Sequence, residues 1–479
     1  MDSGSVLHVL ALLLGIEAVC MLPSLGWGLY YGESDVAAFA LSIGLILLVA
    51  VVLYWIAPKG GVVRYREGFL IVGLGWLLVS LFGSLPYVFH GTFDSVIDAF
   101  FEGVSGFSTT GATVLVDIES QPHGILFWRA LTNWLGGMGI LVLTLAILPA
   151  LGTGSFQIFQ SESPGPTPGR LVPRVGKTAR ILYGIYLMMS LGQVIALKLA
   201  GMSWFDALTH TFATMGTGGF SNYNASLGAF SSPMIRWVIG GFMVAAGVNF
   251  ALYYEAIHGQ PQALWRDEEF RLYLLLIVVA TGIITTNITP LYPSVVAALR
   301  HGGFQVVSTI TSTGFVITDY DQWPDLSRVV LFLLMLVGGS AGSASGGIKV
   351  IRVLILLKYV RRTVYRLIHP NAVMTLRVGD QVVSEDTLHN VVGFFLIYQL
   401  LLAVFSMALV TQGMDLVSAL SAATASLSNI GPGFGLVGPA TTYAGLSDWT
   451  KITLSMGMIL GRLEIYTILV LFSPVFWHK

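Results

Sequence analysis

The chain has 479 residues, 55% of them hydrophobic and 10% charged, with a formal net charge of −1. Soluble domains carry about 25% charged residues, so this composition excludes an ordinary soluble protein, and the near-zero charge excludes a nucleic-acid partner held by phosphate attraction. One cysteine, Cys20, excludes an internal disulfide.

In lipid, only helical bundles and closed barrels satisfy their backbone polar groups. Apolar runs of about 20 residues fit helices rather than barrel strands. Residues 1–5 hold no Lys or Arg, so the first run, 6–31, which contains Glu17, reads as a permanent helix and not a cleaved leader. With the run 36–56 it makes a hairpin. Then come 69–89, a short amphipathic run 94–107 ending in STTGA, and 125–151. The order repeats as 181–199, 204–214 with MGTGG, and 235–256. It repeats again as 272–291, 294–310 with TSTGF, and 329–357, and finally as 391–410, 415–427 with SNIGP, and 452–476. This gives ten spans. The expected fold is an all-α membrane protein: four pseudo-repeats of helix, pore loop and helix around a central pore, plus an extra N-terminal hairpin. The units are 1–60 for the hairpin, then 61–160, 161–262, 263–375 and 376–479.

Basic residues set the orientation. Lys59, Arg64 and Arg66, then Arg170, Arg174, Lys177 and Arg180, then Arg266 and Arg271, then Lys358, Arg361, Arg362, Arg366 and Arg377 fall in alternate loops. Those loops and both termini should be cytoplasmic. Of the two long ones, 151–180 is rich in Gly and Pro and irregular, and 358–387 is basic at first and acidic at its end.

Each short run is about 17–26 Å long at ~1.5 Å per residue, half a membrane. Entering from outside, its C-terminal end points a partial negative charge at the membrane centre, which favours a dehydrated cation. The segment that follows offers carbonyls in place of water, and Gly there permits torsions closed to other residues. Aligned on a Thr-Gly or Ile-Gly pair, the centres are Gly111, Gly218, Gly314 and Gly431. Gly216 competes with Gly218, and the Thr-Gly match decides for Gly218. The candidate cation site is therefore Thr109, Thr110 and Gly111; Thr217 and Gly218; Thr313 and Gly314; and Asn429, Ile430 and Gly431. A basic residue follows each glycine, as Arg129, Arg236, Arg328 and Lys451, and reads as an interfacial snorkelling anchor.

These four segments, in this order and context, resemble the Trk/Ktr/HKT superfamily of potassium transporters over essentially the whole chain, and the extra hairpin is similar to the bacterial Trk membrane subunit. The resemblance implies uptake of potassium as the transported ion, with no organic cofactor in this chain. Four filter glycines go with potassium selectivity, whereas some plant relatives with Ser in the first filter favour sodium. The fourth segment departs from the pattern, with Ile430 before its glycine and Pro432 after it. The resemblance also implies a bacterial inner-membrane location, a homodimer in lipid, and a cytosolic nucleotide-binding regulatory subunit.

The eighth span holds Gly338, Gly339, Ser340, Ala341, Gly342, Ser343, Ala344, Ser345, Gly346 and Gly347. Each Gly costs a helix about 1 kcal/mol relative to Ala, so the stretch is not helical, and such backbone is tolerated where protein buries it or water lines it. The family places a gate loop here. Arg462, in the last span, is a functional candidate because charge at membrane depth is costly; its partner would be Glu102 or the carbonyls of the glycine stretch. Two other functions compete. Proton- or sodium-coupled symport stays open, although Asp and Glu are almost absent from the pore-domain spans. An intramembrane serine hydrolase could use Ser340 in G-x-S-x-G or Ser105 in GVSG, but no histidine is placed as its base.

Overall fold

Four small polar residues fix where the half-length helices begin. In the computed structural model, which describes residues 3–58, 63–139, 175–372, 374–379 and 381–477, the side chains of Ser95, Ser203, Ser294 and Asp415 accept from the backbone N–H groups of Ile97, Asp206, Ala297 and Ser418. Each cap satisfies one of the N–H groups left over at a helix start. The helices so opened are Val96–Phe107, Trp204–Met215, Val295–Ile310 and Leu416–Leu427, within two residues of the expected short runs. They sit in the interior, and their C-terminal halves are almost wholly buried.

A longer helix precedes each of them. These are Tyr65–Gly83 (continued by Leu85–His90), Val175–Leu199, Glu268–Ile288 and Glu385–Thr411. A shorter inner helix follows each: His123–Gly137, Pro233–Ala246, Asp325–Val337 and Asp448–Arg462. The N-terminal hairpin, Ser3–Cys20 with Leu22–Tyr31 against Val36–Ile56, stands beside the first outer helix, and Leu13, Leu14, Phe39 and Trp76 share one buried cluster. Among the described residues, six helical stretches are long and apolar enough to cross a bilayer. They match the hairpin and the four outer spans.

Two inner spans, the sixth and the tenth, differ from the expected unbroken helices, whereas the break in the eighth falls on the glycine stretch read as non-helical. The sixth breaks at 247–249, where Pro233–Ala246 meets Phe250–Ile257 at 93°. Asn249 caps the second piece by accepting from Ala251 N. The tenth breaks between Asp448–Arg462 and Tyr466–Phe472 at 113°, where Glu464 and Ile465 take φ of 54° and 56°. The eighth stops at Val337 and resumes only as Val350–Ile368. The fourth ends at Gly137, and residues 140–151 of that expected span lie outside the described residues, as does 151–174 of the Gly/Pro loop. Inner helices of 13–15 residues measure about 20–23 Å, less than the ~30 Å hydrocarbon core. The only strands among the described residues are Arg377–Val378 and Gln381–Val382, an antiparallel pair within the second long loop.

Candidate cation site

All four pore helices end alike. The N–H groups of Ser108, Gly216, Thr311 and Ser428 still bond four residues back. The next residues, Thr109, Thr217, Ser312 and Asn429, turn left-handed with φ of 56°, 55°, 52° and 52°. Then Thr110, Gly218, Thr313 and Ile430 donate to the carbonyls of Ser105, Ala213, Ser308 and Ala425, each at 2.9 Å. This closure, six residues to one, is the Schellman end. It usually carries Gly at the left-handed position, where other residues lose about 1–2 kcal/mol.

A second left-handed residue follows two positions on: Gly111, Gly219, Gly314 and Gly431, with φ of 76°, 68°, 80° and 91°. The second segment is thus in register through Gly219, one residue beyond the Gly218 chosen on the Thr-Gly match. Counting from the helix end, not dipeptide identity, sets the alignment. Gly218 takes the place of Thr110, Thr313 and Ile430, so it contributes a carbonyl where they do and is not the turning glycine.

Those four carbonyls close a ring. A β-carbon on Gly111 would strike the carbonyl oxygen of Gly218, on Gly219 that of Thr313, on Gly314 that of Ile430, and on Gly431 that of Thr110, at 2.6 Å. Each segment touches the next in chain order, and the fourth touches the first. Positive φ and close approach together require glycine at these positions. Beneath the ring, the buried hydroxyls of Thr109 and Thr217 have no hydrogen-bond partner among the described residues. Asn429 Nδ2 donates to Thr110 Oγ1 (3.0 Å) and to Met458 O (2.8 Å).

Above the ring the ascending strands are tied to their surroundings. Tyr443 donates to Gly431 O at 2.6 Å, Ser308 to Phe315 O at 2.7 Å, and Ser421 accepts from Phe434 N at 3.0 Å. The basic residues after the glycines are not snorkelling anchors as a set. Arg129 is 1% exposed and bonds Glu102 at 2.8 Å; Lys451 is 4% exposed and pairs with Asp98 at 2.6 Å. Arg328 bonds Asp321 at 2.9 Å, and Arg236 donates to Phe230 O at 2.6 Å. Protein carboxylates and a carbonyl, those of Glu102 and Asp98 far off in sequence, hold the charges that water was expected to hold.

The glycine stretch lies directly below. Gly346 N donates to Ser312 Oγ at 2.6 Å, and a β-carbon on Gly346 would strike the Ser428 carbonyl. The loop therefore abuts the bases of the third and fourth segments. Three more of its N–H groups are held from outside: Ser340 N by Gly247 O (2.9 Å), Ala344 N by Ala246 O (3.4 Å), and Ala341 N by Glu269 Oε1 (2.7 Å), which also accepts from Ile351 N (3.0 Å); Ser343 N and Ser345 N bond within the loop. The break in the sixth span exposes the carbonyls used here. Arg462 donates to Ala344 O (2.8 Å), to Gly137 O (3.0 Å) and to Gly136 O, so its partners are carbonyls and not Glu102. Glu464 pairs with Arg352, and Lys349 donates to Ser345 O.

Glu269 and Lys349 were not singled out from the sequence. Glu269 follows Asp267 and Glu268 and resembles ordinary acidic helix-start charge; nothing local tells which of the three turns inward. The serine motifs gain no base. His210 is occupied by Ser221 Oγ at 3.1 Å and Asp206 O at 2.9 Å, and His301 stacks on Tyr292.

Residues 36–479 match the family model described as TrkH, cation transport protein. The Trk system potassium uptake protein TrkH of Salmonella typhimurium is 40% identical over 467 residues, 96% of each chain. The Trk system potassium uptake protein TrkG of Escherichia coli is 34% identical over 482 residues, covering 99% of this chain and 98% of its own. The crystal structure of the potassium transporter TrkH from Vibrio parahaemolyticus matches with a TM-score of 0.90 at 37% identity, over the full length of both chains.

Proposed function

This chain belongs to the TrkH family of cation transport proteins, and from that premise we propose that it takes up potassium across a bacterial inner membrane. The observation that carries the proposal is the ring of Thr110, Gly218, Thr313 and Ile430 carbonyls, each lodged against the turning glycine of the segment before it. Carbonyls so arranged replace the hydration shell of a monovalent cation, and side-chain-free glycines leave the path open. Four units, 61–160, 161–262, 263–375 and 376–479, each contribute one quadrant, with potassium preferred over sodium. The loop from Gly338 to Gly347 is the gate, and Arg462 holds it shut by bonding it to the end of the first inner helix.

The relatives are transporters by name, so the chain is not an enzyme and the serine hydrolase falls away. The near-absence of Asp and Glu from the pore-domain spans favours passive conduction over coupling to protons or sodium. The protein works as a homodimer in lipid with both termini cytoplasmic, and a cytosolic nucleotide-binding subunit controls it. That "system" stands in the relatives' names supports a regulatory partner. The partner docks on the basic helix Val350–Ile368 through Arg361 and Arg366, which are exposed; Arg362, grouped with them in sequence, is instead buried and bonded to Glu385 at 2.8 Å.

Rubidium uptake into liposomes holding the purified protein tests this. Potassium should compete and sodium should not, and a pH or sodium gradient should leave the flux unchanged. Equal competition by sodium would remove the filter, and flux that follows a gradient would establish symport.

A further inference from the structure

The buried Glu102–Arg129 pair has no part in the ring or the gate. Both residues are essentially sealed, at 0% and 1% exposure. Arg129 Nε donates to Glu102 Oε1 at 2.8 Å, Nη2 to Thr113 Oγ1 at 3.2 Å, and Nη1 to the Ser221 carbonyl at 3.3 Å. Its guanidinium lies 4.3 Å from the Phe220 ring centre. Glu102 in turn accepts from Thr113 Oγ1 at 2.9 Å and from Val114 N at 3.0 Å. Thr113 stands two residues after Gly111, and Ser221 two after Gly219. One rigid fork therefore grips equivalent points on two neighbouring filter strands.

Equivalent positions elsewhere carry no such charge. Nine residues before each turning glycine stand Glu102, His210, Gln305 and Ala422. His210 meets Ser221 Oγ at 3.1 Å and Gln305 donates to Phe315 O at 3.4 Å, each within its own quadrant. We propose that Arg129, held by Glu102, is a positioning residue that fixes the spacing of the first and second filter strands and thereby the preference for potassium over sodium. The physical ground is the guanidinium's planar fork of five donors, which a lysine ammonium cannot reproduce at two separated acceptors. Carbonyl spacing at the ring then depends on a brace lying just above it. This rests on the filter proposed above.

The test is the potassium-to-sodium flux ratio of purified protein in liposomes, measured for Arg129→Lys and Thr113→Val. Arg129→Lys keeps the charge and loses the fork; Thr113→Val keeps the ion pair and loses the bridging hydroxyl. Each should lower the ratio about tenfold, equivalent to ~1.4 kcal/mol between the two ions, chiefly by admitting sodium. Should Arg129→Lys fail to fold, Thr113→Val carries the expectation alone. Lys451→Met, which breaks a buried pair with the Asp98 pore-helix side chain, should lower thermal stability and leave the ratio unchanged. An unchanged ratio in folded Thr113→Val, or an equal fall in Lys451→Met, overturns the proposal. A parent protein with no preference at all would instead sink the filter on which it rests.

Discussion

The filter segments and the 338–349 loop are both glycine-rich, both outside any helix and both central, but they are held in opposite ways. Each filter segment hangs from its own pore helix: Thr110, Gly218, Thr313 and Ile430 donate to carbonyls five residues earlier in the same unit. The loop borrows its partners from Gly247 and Ala246 of the second unit, Arg462 of the fourth, and Glu269 and Ser312 on the outer helix and filter of its own unit. Buried backbone must be paired in either case. A segment paired within itself keeps its shape when neighbours shift, whereas one paired by neighbours moves when they do. Selectivity suits the first kind of backbone and gating the second.

The largest expected effect breaks the self-held side. Gly219→Ala places a β-carbon at φ of 68° against the Thr313 carbonyl, a left-handed strain of about 1–2 kcal/mol before the clash is counted. The potassium-to-sodium flux ratio should fall about tenfold or more. Gly218→Ala should fall less, because its β-carbon meets the side chain of Asn133 and no positive φ is needed. The reverse order would restore the Thr-Gly register.

A middle effect belongs to the borrowed side. Arg462→Ala removes charge-assisted bonds to Ala344, Gly136 and Gly137 carbonyls, worth about 1.5–3 kcal/mol for a bond to a charged group. Basal rubidium flux should rise about tenfold while the ion ratio stays at the parent value. A changed ratio with unchanged flux would move Arg462 from the gate to the filter.

The smallest effect reaches the loop from outside, through the helix Val350–Ile368 that continues it. Reversing the exposed Arg361 and Arg366 to Glu should weaken binding of the proposed cytosolic nucleotide-binding subunit several-fold, since exposed pairs are worth about 0.2–1 kcal/mol each. Flux without that subunit should not change. A binding titration that shows full affinity would place the docking surface elsewhere.

The pore helices were legible in sequence because a short amphipathic run ending in a Gly segment recurs four times, and the outer spans because length and apolarity suffice. What escaped depended on distance or on count. Arg129 resembled a surface anchor because Glu102, its partner, is 27 residues away. Gly219 was passed over because Thr217-Gly218 matched by identity, while the backbone counts from the last helical turn. The bends after Ala246 and Arg462 lie in apolar runs whose hydropathy gives no sign of them. Gly247 and Asn249 were the available signal at the first, and the positive φ of Ile465 at the second had none.

Because the ring is closed head to tail within a single polypeptide, its four quarters need not be identical. In an assembly of four like chains, any change near the ion is made four times, so a shift of ~1.4 kcal/mol per contact multiplies from tenfold to about ten-thousandfold. Here it is made once. That latitude fits what the quarters have become: Pro432 follows only the fourth glycine, the buried Glu102 carboxylate braces the first filter strand where His210, Gln305 and Ala422 stand in the others, and the glycine stretch interrupts the third. Covalent closure lets a pore of fourfold plan be adjusted one side at a time.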